Sequence, residues 1–225
     1  VTERDWAFPG GSPGTSNDPN PVITYSTPGL YPVSLTAGNG NMDVSTQVVD
    51  YIHVLPSTGL ATPFTEGFEN TTSIPSNEWA VVDVGDNGGF QLVATTGYQS
   101  AKSVRLNNHV SEPDEVDELV STTFDMSSAQ EITINYRYAF ARHNADNNDI
   151  LRLYVSSDCG DTWSLRQQLA ASNVLSTSAD QASSFTPSQD AQWEETTVNN
   201  ISSSYFVSDF RFKFRFESDG GNNLF

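Results

Sequence analysis

Apolar residues in this chain recur at every second position in short runs, and clusters of Gly, Pro, Asn, Asp and Ser separate the runs. The strictest case is Phe210-Arg211-Phe212-Lys213-Phe214-Arg215-Phe216. A period of two places all four phenylalanines on one face of a strand, so this strand is expected to turn its rings to a core and its cations outward. Ile132 to Phe140 and Ile150 to Val155 alternate in the same way. Trp79 to Asp83, Ser103 to Leu106, Asp117 to Ser121, Thr123 to Met126 and Trp193 to Val198 add shorter strands. Toward the N-terminus, Tyr31, Val33 and Leu35 alternate after a Pro28-Gly29 turn, and Val22 to Tyr25 and Tyr51 to Val54 flank them. No stretch combines a helical period with capping residues. The pattern predicts an all-β protein.

The turn clusters divide the chain. Residues 1–56 hold four short strands at the spacing of an Ig-like sandwich. Residues 57–63, Ser-Thr-Gly-Leu-Ala-Thr-Pro, read as a linker,. Residues 64–225 carry enough strands for a two-sheet jelly-roll β-sandwich. The pattern is already under way at Val1 and still in a strand at Phe225, as expected of an internal segment of a larger chain.

Ser156-Ser157-Asp158-Cys159-Gly160-Asp161-Thr162-Trp163 follows the strand ending at Val155 and fits the Asp-box pattern S-x-D-x-G-x-T-W. The motif is a hairpin device. Asp158 is placed to accept backbone amides across the turn, Gly160 to supply a positive φ, and Trp163 to pack beneath, with Ser156 and Thr162 as the flanking hydroxyls. It predicts structure, not catalysis.

Charge and composition narrow the function. The chain has 10 Lys+Arg against 28 Asp+Glu, a formal net charge of -18. Phosphate recognition needs clustered cations, so nucleic acid is excluded as a partner, as is an anionic membrane surface. No apolar run is long enough to span a bilayer as a helix. The single cysteine, Cys159, cannot form an intrachain disulfide, which points to a bacterial exported protein held by its core,. His53, His109 and His143 stand alone, and none belongs to the H-E-x-x-H pattern of a zinc helix, so no zinc is expected in this chain,. There is no G-x-S-x-G elbow or phosphate-binding loop, and Gly85 to Gly89 lacks a strand–helix context. Glu112, Asp114, Glu115, Asp117 and Glu118 crowd one loop, the pattern of a solvated surface rather than of a glycosidase pair,. Trp79, Trp163 and Trp193 are expected in the core. Tyr98 and Tyr205 lie among polar residues and are the candidate platforms for stacking a sugar,.

Two resemblances follow from the motifs. W-x-F-P-G-G at 6–11, N-P-x-x-x-Y at 20–25, P-G-x-Y-x-V-x-L at 28–35 and Y-I-x-V at 51–54 resemble a bacterial PKD domain lacking the strands that precede Trp6. G-F-E at 67–69, Trp79, D-E-L-V-S at 117–121, the Asp-box run and the closing G-G-N-N-L-F resemble MAM-like or concanavalin-like jelly rolls. In this order the pair resembles the C-terminal region of cytophagalysin-type (pappalysin-like) secreted metallopeptidases of Bacteroidetes, which carry signals for type IX secretion. The resemblance implies a non-catalytic accessory or binding region of a secreted or cell-surface protein, with the catalytic zinc domain outside this chain. Its partners would be the other domains of the parent protein, or an extracellular protein or glycan. The alternative is an adhesin or carbohydrate-binding cell-surface protein whose jelly roll binds the ligand. Related jelly rolls hold a structural calcium between their first and last strands, which implies Glu69 as a ligand and Asp117 as a second. Asp146-Asn147-Asn148-Asp149 is a further oxygen-rich loop without an EF-hand spacing,.

Overall fold

A computed structural model describes residues 3–225, and these are all-β apart from short 3-10 turns. The chain separates into two compact units, Val1–Pro56 and Ser57–Phe225.

The first unit is one antiparallel sheet. It contains β1 (Glu3–Ala7), β2 (Thr15–Ser16), β3 (Gly29–Gly38) and β4 (Asp43–Val54), in the order β2-β1-β3-β4. The expected strand at Val22 to Tyr25 contributes only an isolated bridge, Thr24 to Ser12. Tyr25 instead packs its ring on Tyr31, with centroids 4.6 Å apart. Gly10 has φ +82°, and a side chain there would meet the Tyr31 ring at 2.4 Å, so the turn after Phe8 requires glycine,. Much of β4 is exposed, with Val44, Val49 and Tyr51 each more than 60% accessible.

The second unit begins earlier than the sequence suggests. Residues 57–63 are not a free linker: the Leu60 amide donates to the Thr123 carbonyl at 2.9 Å, and the Asp125 amide donates to the Leu60 carbonyl at 3.0 Å. The remaining strands are β5 (Trp79–Asp83), β6 (Phe90–Val93), β7 (Ser103–Leu106), β8 (Val116–Ser121), β9 (Ile134–Tyr138), β10 (Ile150–Ser156), β11 (Ser164–Ala170), β12 (Glu194–Val198) and β13 (Arg211–Glu217). Five of them form one antiparallel sheet, β11-β10-β13-β8-β5. The rest form two ribbons, β6-β7 and β12-β9. Packing these ribbons on the large sheet gives the sandwich.

The core follows the alternation. Leu151, Leu153 and Val155 of β10 and Phe216 of β13 are buried, and the Phe216 ring meets Phe140 with centroids 6.0 Å apart. Trp79 and Trp193 are in the core, as expected, whereas Trp163 is only half-buried and stands outside it, because its ring lies on the outer face of the sheet against Gly160 and Lys213. One part of the β13 expectation fails. Lys213 does not face solvent: it is 8% exposed. Its ammonium lies 2.7 Å from Glu118 Oε1 and 4.6 Å from the Trp163 ring centroid. β13 is the middle strand of its sheet, so its outer face is covered by neighbouring side chains and the cation takes a carboxylate and an aromatic face in place of water.

Phe216 is fully buried, whereas Phe212 and Phe214 on the same face are only half-buried. Phe216→Ala should therefore cost about 3–5 kcal/mol, and Phe214→Ala clearly less. Chemical denaturation monitored by tryptophan fluorescence reads both, and equal costs would contradict the burial difference.

Candidate functional site

The Asp-box turn between β10 and β11 is held by its own side chains. Asp158 Oδ1 accepts the Thr162 amide at 2.9 Å and the Ser156 hydroxyl at 2.6 Å, and Asp158 Oδ2 accepts the Thr162 hydroxyl at 2.5 Å. The Gly160 amide donates to Ser156 Oγ at 2.8 Å. Cys159 (φ +58°) and Gly160 (φ +98°) turn the chain, and the Trp163 ring lies directly below Gly160. The hydroxyl of Ser156, then the hydroxyl and amide of Thr162, hold the Asp158 carboxyl down at about 2. Both of its oxygens are engaged within the turn.

Glu69 is engaged as well. Its Oε1 accepts the Ala101 and Lys102 amides, both at 2.9 Å, and the Lys102 ammonium donates to the Glu69 carbonyl at 3.0 Å and the Thr71 carbonyl at 2.9 Å. A carboxylate that caps two amides beside a lysine is a loop fastener.

Asp117 lies elsewhere and is not brought to Glu69. It sits directly across from Asp83 in the β5–β8 register, on the inward face shared with Leu119. It is 3% exposed, and its Oδ1 has no hydrogen-bond partner. Asp83 accepts the Gly88 amide at 2.7 Å, and Glu115 accepts from the Asn87 side chain. Burial, with the charges of Asp83 and Glu115 adding to it, raises Asp117 from 3.8 to about 6,. Among the described residues, no three His, Cys, Asp or Glu side chains gather closely enough to hold a metal ion. Glu69 and Asp117 therefore do not fit a shared calcium site.

The two tyrosines are also apart. Tyr98 is half-buried, packs toward Trp193 and Phe225, and has the Arg137 guanidinium 4.0 Å from its ring centroid. Arg137 also pairs with Glu195. Tyr205 is half-buried against a different cluster, with Arg166 4.6 Å from its ring centroid. Each ring thus presents a cation-covered face.

Sequence reasoning missed a polar latch. Asp149 is fully buried, and its Oδ1 accepts the Asn108 side chain at 2.8 Å, the Asp219 amide at 3.0 Å and the Gly221 amide at 3.2 Å. Gly221 presses on this carboxylate so closely that a side chain there would meet Asp149 Oδ2 at 2.0 Å. Asn222 and Asn223 are fully buried too: Asn222 clasps the Phe185 amide at 2.7 Å, and Asn223 clasps the His109 amide at 3.0 Å. The histidines read as solitary are in fact joined, His109 Nδ1 to His143 Nε2 at 2.7 Å, and His143 Nδ1 reaches the Gly220 carbonyl at 3.0 Å. The available signal was the Gly-Gly-Asn-Asn run in front of Leu224, polar residues placed where a strand enters a core.

A cavity of about 870 Å³ lies inside the second unit, lined on one wall by Phe212 and Phe214 and on the other by Ile134, Tyr136 and Tyr138, with Glu131, Arg137 and Glu195 also contributing. Its size is that of small-ligand clefts, about 300–1,000 Å³.

Residues 2–49 match the PKD domain family. No curated protein matches the sequence. Among solved structures, the chain is similar to the K2 cleaved adhesin domain of Lys-gingipain, with a TM-score of 0.49 and 18% identity over 72% of this chain and 94% of that one. It is also similar to a structure of carbohydrate-binding modules from the β-sandwich superfamily, with a TM-score of 0.49 and 15% identity over 100% of this chain and 82% of that one. A third likeness is to the CBM51-2 and INT domains of Clostridium perfringens ZmpB, with a TM-score of 0.29 and 12% identity over 88% and 36% of the two chains.

Two pH effects follow. An acid raised in the fold binds its proton more tightly there, so Asp117 costs stability as pH rises from 3.8 through about 6,. Asp117→Asn should remove that cost, stabilising the unit by about 1–2 kcal/mol at pH 8 relative to pH 4 once solvent screening is allowed for. A pH-independent difference in melting would contradict it. Asp158 works in the opposite sense: held at about 2, it supports the fold above 3.8 and loses that support as pH falls through about 2,. Asp158→Asn should lower Tm at neutral pH, and the gap should close over that acid window.

Proposed function

We propose that this chain is a non-catalytic accessory and binding region of a secreted or cell-surface bacterial protein. One observation carries the reading. The titratable side chains that the sequence singles out hold the backbone together: Asp158 its hairpin, Glu69 the Ala101–Lys102 loop, and the His109–His143 pair the Gly220 turn. The PKD domain match over residues 2–49 is consistent with this reading. No helix among the described residues is long and apolar enough to cross a membrane. The parent protein, in this reading, is a secreted zinc metallopeptidase whose catalytic domain lies outside residues 1–225. Assays of the purified chain on casein, gelatin and common glycans test the non-catalytic part, and robust turnover that survives repurification would overturn it.

A second reading, an adhesin or glycan-binding module, is favoured by Tyr98. Its half-exposed ring, the Arg137 guanidinium above it and Glu195 beside that cation offer stacking and hydrogen-bonding groups together,. A glycan array should then show binding that Tyr98→Ala weakens by at least about tenfold, the order expected for loss of a stacking anchor. Tyr205→Ala, on its separate cluster, should bind as the parent does if Tyr98 is the platform.

A further inference from the structure

The cavity has an unusual pair of walls. Leu224 exchanges both backbone hydrogen bonds with Leu106 at the end of β7, at 2.9 and 3.2 Å. Phe225 exchanges both with Ala139, just past β9, at 2.9 and 3.0 Å. Leu224 and Phe225 therefore form one rung between the two ribbons, antiparallel to both. The opposite edge of β7 carries β6, and the opposite edge of β9 carries β12. Two strands that share one intervening rung stand two strand spacings apart, about 9.5 Å. Below that rung, the edges of Ser103–Leu106 and Ile134–Tyr138 face each other with no strand between them among the described residues.

We propose that this cavity is a slot for one further β-strand, in line with the Leu224–Phe225 rung and antiparallel to β7 and β9, and not a cleft for a small ligand. With it, the ribbons become a single sheet in the order β6-β7-new strand-β9-β12, five strands facing the five of β11-β10-β13-β8-β5. The register is already set. The antiparallel pairing of Phe225 with Ala139 puts the first, third and fifth following positions opposite Tyr138, Tyr136 and Ile134,. Those positions continue the face of Leu224, which is in the core, so their side chains enter the cavity and meet Phe212 and Phe214. This accounts for the half-burial of two inward phenylalanines on the central strand of the opposite sheet. The positions between them face outward beside Arg137 and Asn135, where polar residues fit. The occupant this register selects is one extended peptide strand with apolar side chains at those three positions, added by edge-to-edge hydrogen bonding,. The buried latch of Asp149, Asn222 and Asn223 anchors the backbone at the point of entry.

The test compares the 225-residue chain with the same chain extended past Phe225 by Val-Thr-Val-Thr-Val, or by the phase-shifted Thr-Val-Thr-Val-Thr. Amide exchange is read at Val104, Asn135 and Arg137, whose backbone groups face the slot by the alternation of the ladder. The in-phase extension should raise Tm and slow exchange at these amides by at least about tenfold, while the shifted one should not. Failure of the in-phase strand to protect them, or equal protection by both, overturns the slot. Protection of the same amides by a free Val-Thr-Val-Thr-Val peptide at millimolar concentration supports the slot equally, and dimerisation of the unextended chain that protects them overturns its assignment to a separate peptide strand. None of these readouts involves glycan binding, so the result stands apart from the ligand reading above.

Discussion

Strand β13 is hydrogen-bonded along both edges, to β10 on one side and to β8 on the other, and its inward phenylalanines supply the floor on which the rest of the second unit packs. A strand buried in this way must satisfy every backbone group within the sheet and every side chain on both faces. That requirement explains its composition. Phe216 fills the inner layer against Phe140, while Lys213 on the outer face is tolerated because Glu118 and Trp163 replace its water,. The neighbouring strands inherit their places from it: Leu151 and Leu153 of β10 and Leu119 of β8 share its inward face.

The same constraint, applied to the opposite layer, gives the second unit its asymmetry. The β6-β7 and β12-β9 ribbons touch the same backbone rung at Leu224 and Phe225 and part below it. A core is close-packed only where both sheets are continuous. Around Leu106, Phe140, Leu224 and Phe216 they are, and burial is complete or nearly so. Around Phe214 and Tyr136 the opposing layer is interrupted, and the cavity follows that interruption. Its shape is therefore set by strand order, which sequence alone did not disclose.

Polar chemistry in this protein is used mainly to hold turns and loops. Asp158 closes the β10–β11 turn, Asp149 gathers the amides of Asp219 and Gly221 in the loop after β13, and Glu69 caps two amides. With one cysteine and so no intrachain disulfide, such buried or short-range networks are the means of fixing loop geometry. Asp117 is the exception. Opposite Asp83 and close to Glu115, it carries a like-charge conflict that nothing among the described side chains relieves, and it is where pH has leverage on the fold,.

Local pattern by itself determined a good deal: the all-β class, the strands with clean alternation such as β10 and β13, Trp79 and Trp193 in the core, and the Asp-box turn. Each of these rests on a period of two or on residues adjacent in the chain, which act at short range. Strand β6 and the even mixture of β11 lacked that signal. Only the tertiary structure decided that residues 57–63 pack on Thr123 and Asp125, that Lys213 is buried, that His109 and His143 meet, and that Asp117 faces Asp83 rather than Glu69. These depend on which strands become neighbours. That choice is made by burial across the whole sandwich, through partners many residues away, and no local spacing records it.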